Sequence, residues 1–344
     1  MKILVTGNKG YIGSVLTGLL RAKGYEVVGY DTCYYDDCAM YPVASLATQI
    51  RKDVRDAVAA DFEGVDAVIH LAALSNDPLG ELRPGLTEEI NFKGTLNVAQ
   101  LAKDAGVKRF IYASSQSMYG VADTSHELTE DEAGPHGTTV YAKTKWDAEC
   151  ALKKMGNDHF AVVCFRPSTV FGASPFLRCD IVFNNLVACA YTTKKIEVKS
   201  DGTPWRPVVH VRDVSAAFIA GIEAPLALVA GQSFNVGIPN GNYTVKDLAE
   251  AAQRAVPGSV LTFTGEHGSD FRTYRVSFQK ILTVLKDYFK PEWNLDKGGR
   301  ELVELFDKVK FTEEQFRGRK CNRLKEIQYL LEERKLGDNL KWTQ

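Results

Sequence analysis

Ile3-Leu4-Val5-Thr6-Gly7-Asn8-Lys9-Gly10-Tyr11-Ile12-Gly13 is the stretch that decides the fold. Ile3–Thr6 reads as a short strand, and a helical pattern over Gly13–Lys23 follows a turn with glycine at every third position. A turn at that junction aims backbone N–H groups and a helix N-terminus at a pyrophosphate. Gly7 permits the tight turn, Gly10 the close approach of phosphate, and Gly13 close packing of helix on strand; Tyr11 and Ile12 are candidate contacts beside them. An ordinary βα turn can carry the same glycines, so the second strand, Glu26–Tyr30, adds the discrimination. It ends at Asp31, 18 residues beyond Gly13, where a carboxylate accepts from adenosine ribose hydroxyls and repels a 2′-phosphate. No Arg or Lys lies between Asp31 and Arg51 to hold that phosphate. The expected cofactor is NAD.

Outward from the turn, short apolar runs alternate with helical patterns. Ala67–Leu71, Arg109–Ala113 and Ala161–Phe165 read as further strands, with helices near Leu86–Ala105 and Ala142–Lys154. That rhythm predicts an α/β fold, a Rossmann-like doubly wound parallel sheet covered on both faces. Beyond Arg166 the rhythm loosens and Pro, Gly and Asn punctuate the chain. The predicted organisation is a dinucleotide-binding domain over 1–166, rejoined at about 207–237, and a smaller irregular α/β substrate lobe from 167–206 and 238–344. Its last part, Thr312–Glu333, is read as a surface helix capped by Thr312 and interrupted near Gly318, packing one stripe with Leu324, Ile327, Leu330 and Leu331 onto the body.

The 344 residues carry 42 Lys and Arg against 43 Asp and Glu, which argues against nucleic acid or an anionic membrane as a partner. The seven cysteines (33, 38, 150, 164, 179, 189 and 321) show no paired metal-ligand spacing, so neither a metal site nor a disulfide framework is expected. With no signal-like run at the N-terminus, a cytoplasmic location is expected.

Tyr141 and Lys145 stand four apart at the start of a predicted helix, so they share one face. An ammonium one turn from a phenol, together with a positive nicotinamide ring, lowers the phenol's pKa from about 10 and makes it a base for a substrate hydroxyl. Ser115, at the end of the fourth strand and 26 residues earlier, would hydrogen-bond the reacting oxygen.

These motifs come in an order that resembles the extended short-chain dehydrogenases, the family of nucleotide-sugar epimerases and dehydratases. The glycines are spaced GxxGxxG. Lys52–Asp56, His70–Ala73, Asn91–Thr95, Ser114–Gly120, Tyr141–Lys145, Arg166-Pro167 and Arg206–Val214 follow in turn. The resemblance implies that Asp53 and Val54 face the adenine and that Leu71, Ala72 and Ala73 line the pyrophosphate and nicotinamide ribose. It also implies that Asn91 and Pro167 lie near the cofactor, that Lys145 holds the nicotinamide ribose, and that His70 is structural. A nucleotide-diphosphate sugar is the implied substrate. Arg206 matches the family's diphosphate arginine, Arg272 a second phosphate or ribose contact, and Arg178 is a phosphate contact or a solvated cation. Thr169 stands where many members place an Asn that donates to the diphosphate. A homodimer through helices near Leu96–Lys103 and Ala142–Lys154 is also implied.

The residues after Ser115 narrow the reaction. Family dehydratases and decarboxylases keep a carboxylate there, whereas this chain has Gln116 and Ser117; Asp77 or Glu130 could supply one from another loop. Asp31 disfavours a ketoreductase drawing on NADPH. The expected activity is therefore NAD-dependent epimerisation, at C4, through a transient keto sugar. A 4-keto-sugar reductase, a 4,6-dehydratase and a non-catalytic NAD-binding sensor are the alternatives.

Overall fold

The computed structural model describes residues 1–120, 124–266 and 273–343. Its strands are β1 (Lys2–Thr6), β2 (Glu26–Asp31), β3 (Thr48–Arg51), β4 (Ala67–His70), β5 (Arg109–Ala113), β6 (Ala161–Pro167), β7 (Thr169–Phe171), β8 (Lys195–Val198), β9 (Trp205–His210), β10 (Ser233–Val236), β11 (Asn242–Thr244) and β12 (Val260–Phe263). Seven of them form one parallel sheet in the order β10-β6-β5-β4-β1-β2-β3. The order reverses between β1 and β4, where a doubly wound sheet opens its crevice.

The strands are apolar without a break because both faces are covered. Ile3, Val5, Ile69, Ile111, Val163 and Phe165 point into one core with the helix Val211–Glu223. Their alternates Leu4, Val68, Phe110, Val162 and Cys164 point into the other, against the helices Thr95–Asp104 and Val140–Met155. A period of two thus divides one hydrophobic run between two cores. The helical stretch expected over Leu86–Ala105 is built of Pro84–Glu88, a wide π turn over Glu89–Gly94 and Thr95–Asp104.

The second lobe has its own core around Phe171, Phe183, Val208, Leu248, Leu302 and Phe306. It holds the sheets β11-β9-β7 and β12-β8 and the helices Val182–Thr193, Val245–Ala255 and Leu295–Val309. The chain returns to the first half more often than the sequence pattern indicates. Val276, Phe278, Ile281 and Leu285 pack on one face of the large sheet, while Ile327, Leu330, Leu336 and Leu340 join the core on the other. Thr312 caps a single turn, Glu313–Arg317; after Gly318 and a tight turn the chain starts a separate helix, Arg323–Glu332. That helix packs its apolar stripe into this core and, beyond the expectation of a surface helix, buries Arg323 and Glu326 as well.

Candidate active site

A cleft of about 510 Å³ runs over the carboxyl ends of the sheet, between the two halves. Its floor is the glycine turn. Gly7 has φ +72°, and a Cβ there would lie 2.9 Å from the backbone N of Ala72. A Cβ on Gly13 would lie 2.1 Å from the carbonyl oxygen of Gly7, so strand and helix meet only because both side chains are absent. The helix Tyr11–Ala22 starts with no side-chain cap and no acidic residue in its first turn, which leaves its N–H groups and positive end for an anion. Gly10, Tyr11, Ile12, Leu71, Ala72 and Ala73 line the same floor.

Asp31 lines the cleft at the end of β2. Its carboxylate accepts from the backbone N–H of Lys9 at 2.9 Å and of Cys33 at 2.7 Å, while burial pushes its pKa above the usual carboxylate range. Lys9 brings an ammonium to this end that the sequence interval from Asp31 to Arg51 does not contain; it is paired with Asp36 at 2.8 Å. Asp53 and Val54 also line the cleft, with the Asp53 carboxylate bound by the Arg55 guanidinium at 2.7 Å. Asn91 does not line it. Its side chain accepts from the Leu74 N–H at 2.8 Å and donates to the Leu74 carbonyl at 3.1 Å, so it holds the loop after β4 from behind. His70 is buried between the hydroxyls of Thr6 and Thr95, each 2.9 Å away, and burial pushes it down to about 3.

The opposite wall brings Ser115, Tyr141 and Lys145 together, with Pro167 and Thr169 beside them. Thr139 caps the helix carrying the pair and its hydroxyl donates to Asp77 at 2.6 Å. Burial pushes the Tyr141 phenol up to about 12 against a hydrogen bond from Ser115 that lowers it. Lys145 donates to the Ala113 carbonyl at 2.7 Å, and burial pushes it down to about 7. Burial thus opposes the charged form of both the phenol and the ammonium, and a positive ring bound beside them would favour the phenolate. The Ser115 hydroxyl lies 2.8 Å from that of Ser117, which occupies the place of a carboxylate. Among the acids lining the cleft, Asp77 is the one whose charge is felt by Tyr141; Glu130 turns away and accepts from the Asn235 N–H at 2.7 Å.

Sequence reading missed what stands behind this wall. Tyr141, Lys145 and Glu149 share a helix face at successive four-residue steps, and Glu149 is fully buried. It binds the Arg166 guanidinium at 2.5 Å and accepts from Ser114 at 2.6 Å and Ser233 at 2.7 Å. That network ties the helix to the strand end that carries Ser115. The sequence signal was present in the i+8 spacing from Tyr141. Tyr274, another lining residue, carried none.

Arg178 and Arg206 line the cleft on the second-lobe side; Arg178 pairs with Asp180 at 2.8 Å, and Arg206 donates to the Trp205 carbonyl at 2.9 Å. Arg272 lies outside the described residues. Among the described residues no His, Cys, Asp and Glu group that could hold a metal is found, and no helix is long and apolar enough to cross a membrane.

Residues 3–237 match the profile of the NAD-dependent epimerase/dehydratase family, more than half of the chain. The chain belongs to this family. Among its curated relatives is a UDP-glucose 4-epimerase of Mycolicibacterium smegmatis, 31% identical over 328 residues, covering 89% of this chain and 98% of the relative. A UDP-glucuronate 4-epimerase of Thermodesulfobacterium geofontis is 27% identical over 333 residues, with the same coverage of both chains. The solved structure of MoeE5 in complex with UDP-glucose and NAD aligns with a TM-score of 0.75 at 25% identity, over 90% of this chain and 99% of that one. In a member of an NAD-dependent family, the uncapped helix, the glycine floor and the Asp31 carboxylate fit that dinucleotide.

Proposed function

We propose that this family member is a nucleotide-diphosphate-sugar 4-epimerase that keeps its NAD through the catalytic cycle. The observation carrying this reading is the Ser115–Tyr141–Lys145 set beside a glycine floor, with Ser117 in place of a carboxylate. Bound NAD supplies the hydride acceptor and donor. Tyr141 takes the proton of the sugar hydroxyl and returns it. Ser115, bonded to the phenol, holds the reacting oxygen, and Lys145, its Nζ 5.9 Å from the Tyr141 ring centroid, orients the ribose end. Arg206 and Arg178 take the diphosphate, and Thr169 contributes one hydroxyl donor. Gly7, Gly10, Tyr11, Ile12, Gly13, Asp31, Asp53, Val54, Leu71–Ala73 and Pro167 hold the dinucleotide. The enzyme works as a cytoplasmic homodimer joined through Thr95–Asp104 and Val140–Met155, a surface on which Leu96 and Trp146 are only partly buried.

Asp77 supports a second reading, 4,6-dehydration, because its charge reaches Tyr141 from a neighbouring loop. One incubation separates the two. UDP-glucose and UDP-glucuronate are given to the purified protein with no nucleotide added, and the sugar is followed by proton NMR. Appearance of the C4 epimer supports epimerisation; a 4-keto-6-deoxy sugar supports dehydration and removes it. Sedimentation of the protein at working concentration tests the dimer.

A further inference from the structure

Arg323 is a charged side chain in the cleft wall that the proposed reaction does not use. It opens the helix Arg323–Glu332, is 2% exposed, and lines the cleft with its neighbours Asn322 and Leu324. Its Nη2 donates to the Phe176 carbonyl at 2.7 Å, and its guanidinium lies over the Tyr35 ring at 4.2 Å. Its Nη1 has no hydrogen-bond partner among the described residues. The carboxylate whose charge reaches it is already taken. Asp180 accepts from Arg178 at 2.8 and 3.1 Å, from the Asn76 amide at 3.0 Å, and from the main-chain N–H of Arg323 at 3.4 Å. Glu326, one turn further along, pairs with Arg319. Arg178 and Arg323 are close enough for each to feel the other's charge, so this wall buries two guanidiniums against one carboxylate.

A buried cation keeps an unmade hydrogen bond only at a cost, because its desolvation is not returned by any partner. The planar fork of arginine matches the paired oxygens of phosphate groups, and Arg178 beside it, its Nε and Nη2 already held by Asp180, adds positive charge to the same wall. We propose that Arg323, with Arg178, forms a diphosphate site that closes over the cleft from the C-terminal segment. The inference rests on the reading of the cleft as a site for a dinucleotide and a nucleotide sugar, either of which carries that diphosphate. Tyr35 stands four residues past Asp31 and Ser75 two past Ala73, on the dinucleotide side, while Arg178 belongs to the second-lobe side that faces the nucleotide sugar.

The test is equilibrium binding, not turnover. Wild type and Arg323→Met, freed of any retained nucleotide and compared in melting temperature, are titrated with NAD and, once NAD-loaded, with UDP. A loss of about 10- to 100-fold for NAD assigns the site to the dinucleotide, and the same loss for UDP assigns it to the nucleotide sugar. Binding of both ligands within threefold of wild type overturns the proposal. Failure of wild type to bind either ligand would instead overturn the reading of the cleft. Should Arg323→Met not fold, Arg323→Lys keeps the charge without the fork and is judged by the same limits. Hydrogen exchange of the wild-type Arg319–Glu332 peptide is the independent check. Slowing on addition of NAD or UDP supports the site, and unchanged exchange with both overturns it.

Discussion

Arg166 and Arg323 are buried on two sides of one cleft, and they are buried differently. Arg166 gives its Nε and Nη2 to Glu149 and its Nη1 to the Tyr119 hydroxyl and the Glu130 carbonyl. Glu149 in turn satisfies Ser114 and Ser233, so the whole group is closed on itself. Arg323 has a carbonyl, an aromatic face and an unused N–H. A closed ionic group fixes geometry and needs nothing further; an open one leaves an unmade bond for a ligand to complete. The closed group stands behind the residues for chemistry, which must be held rigidly. The open group stands where a ligand has to arrive and leave.

The difference predicts that substitutions on the closed wall change rate or folding, whereas those on the open wall change binding. Tyr141→Phe is the largest test. It removes the proton carrier without altering packing, so turnover should fall by about 10²–10⁴-fold. NAD binding should stay within a few-fold, measured by titration. Retained turnover would remove the phenol from the mechanism.

Glu149→Ala comes next. It leaves the Arg166 charge buried and unpaired, which costs about 3–5 kcal/mol in unfolding free energy. Urea unfolding at neutral pH should show that loss. Although burial pushes the Glu149 carboxyl up, Arg166 and the two serines hold it below the usual range. Its stabilisation is therefore present above the unfolded value of about 4.3 and is lost as pH falls through the lower folded value. Glu149→Ala should flatten that part of the acid-unfolding profile. A variant as stable as wild type would mean that the network is not the brace behind Ser115.

The floor of the cleft and the face of the Ser115 wall were readable from the sequence; the closed network behind that wall and the open Arg323 side were not. The glycine turn, Asp31, Ser115, Tyr141 and Lys145 sit on strand ends and helix starts whose periodicity sets direction, so spacing alone places them near one another. Asn91 shows where that logic stops. A residue at a helix start next to the cofactor loop can support the loop from behind as well as face the ligand, and only the hydrogen bonds to Leu74 decide which. The stripe of Leu324, Ile327, Leu330 and Leu331 was legible as a packed helix face, but Arg323 reads as part of its charged side. Its burial follows from where the stripe docks, on the large sheet with Leu336 and Leu340, a long-range packing that local periodicity does not encode.

Lys145 sharpens the comparison from within the closed wall. Its ammonium is buried without a carboxylate partner and donates to one carbonyl, so burial pushes it down to about 7. An unfolded lysine keeps its proton to about 10.4. Between those values the unfolded chain binds the extra proton, so the stability of the nucleotide-free protein should rise as pH rises from about 7 towards 10. Lys145→Met should remove that slope and leave the acid side unchanged, as read from urea midpoints at pH 7 and pH 9. An unchanged slope would mean that the lysine keeps its proton in the folded protein.

Asp31→Ala is the smallest expected effect and the one that extends the rule to the adenosine end. The carboxylate is bonded to the N–H groups of Lys9 and Cys33, so it is partly closed, yet it lines the cleft where the ribose of the proposed dinucleotide would lie. A group of this mixed kind should lose both a little stability and some affinity. NAD binding is expected to weaken by about tenfold, the worth of a hydrogen bond to a charged group. NADP should weaken less, because the repulsion of its 2′-phosphate goes with the carboxylate and the Lys9 ammonium is left facing Asp36 alone. Equal weakening of both dinucleotides would show that Asp31 shapes the turn and takes no part in choosing between them.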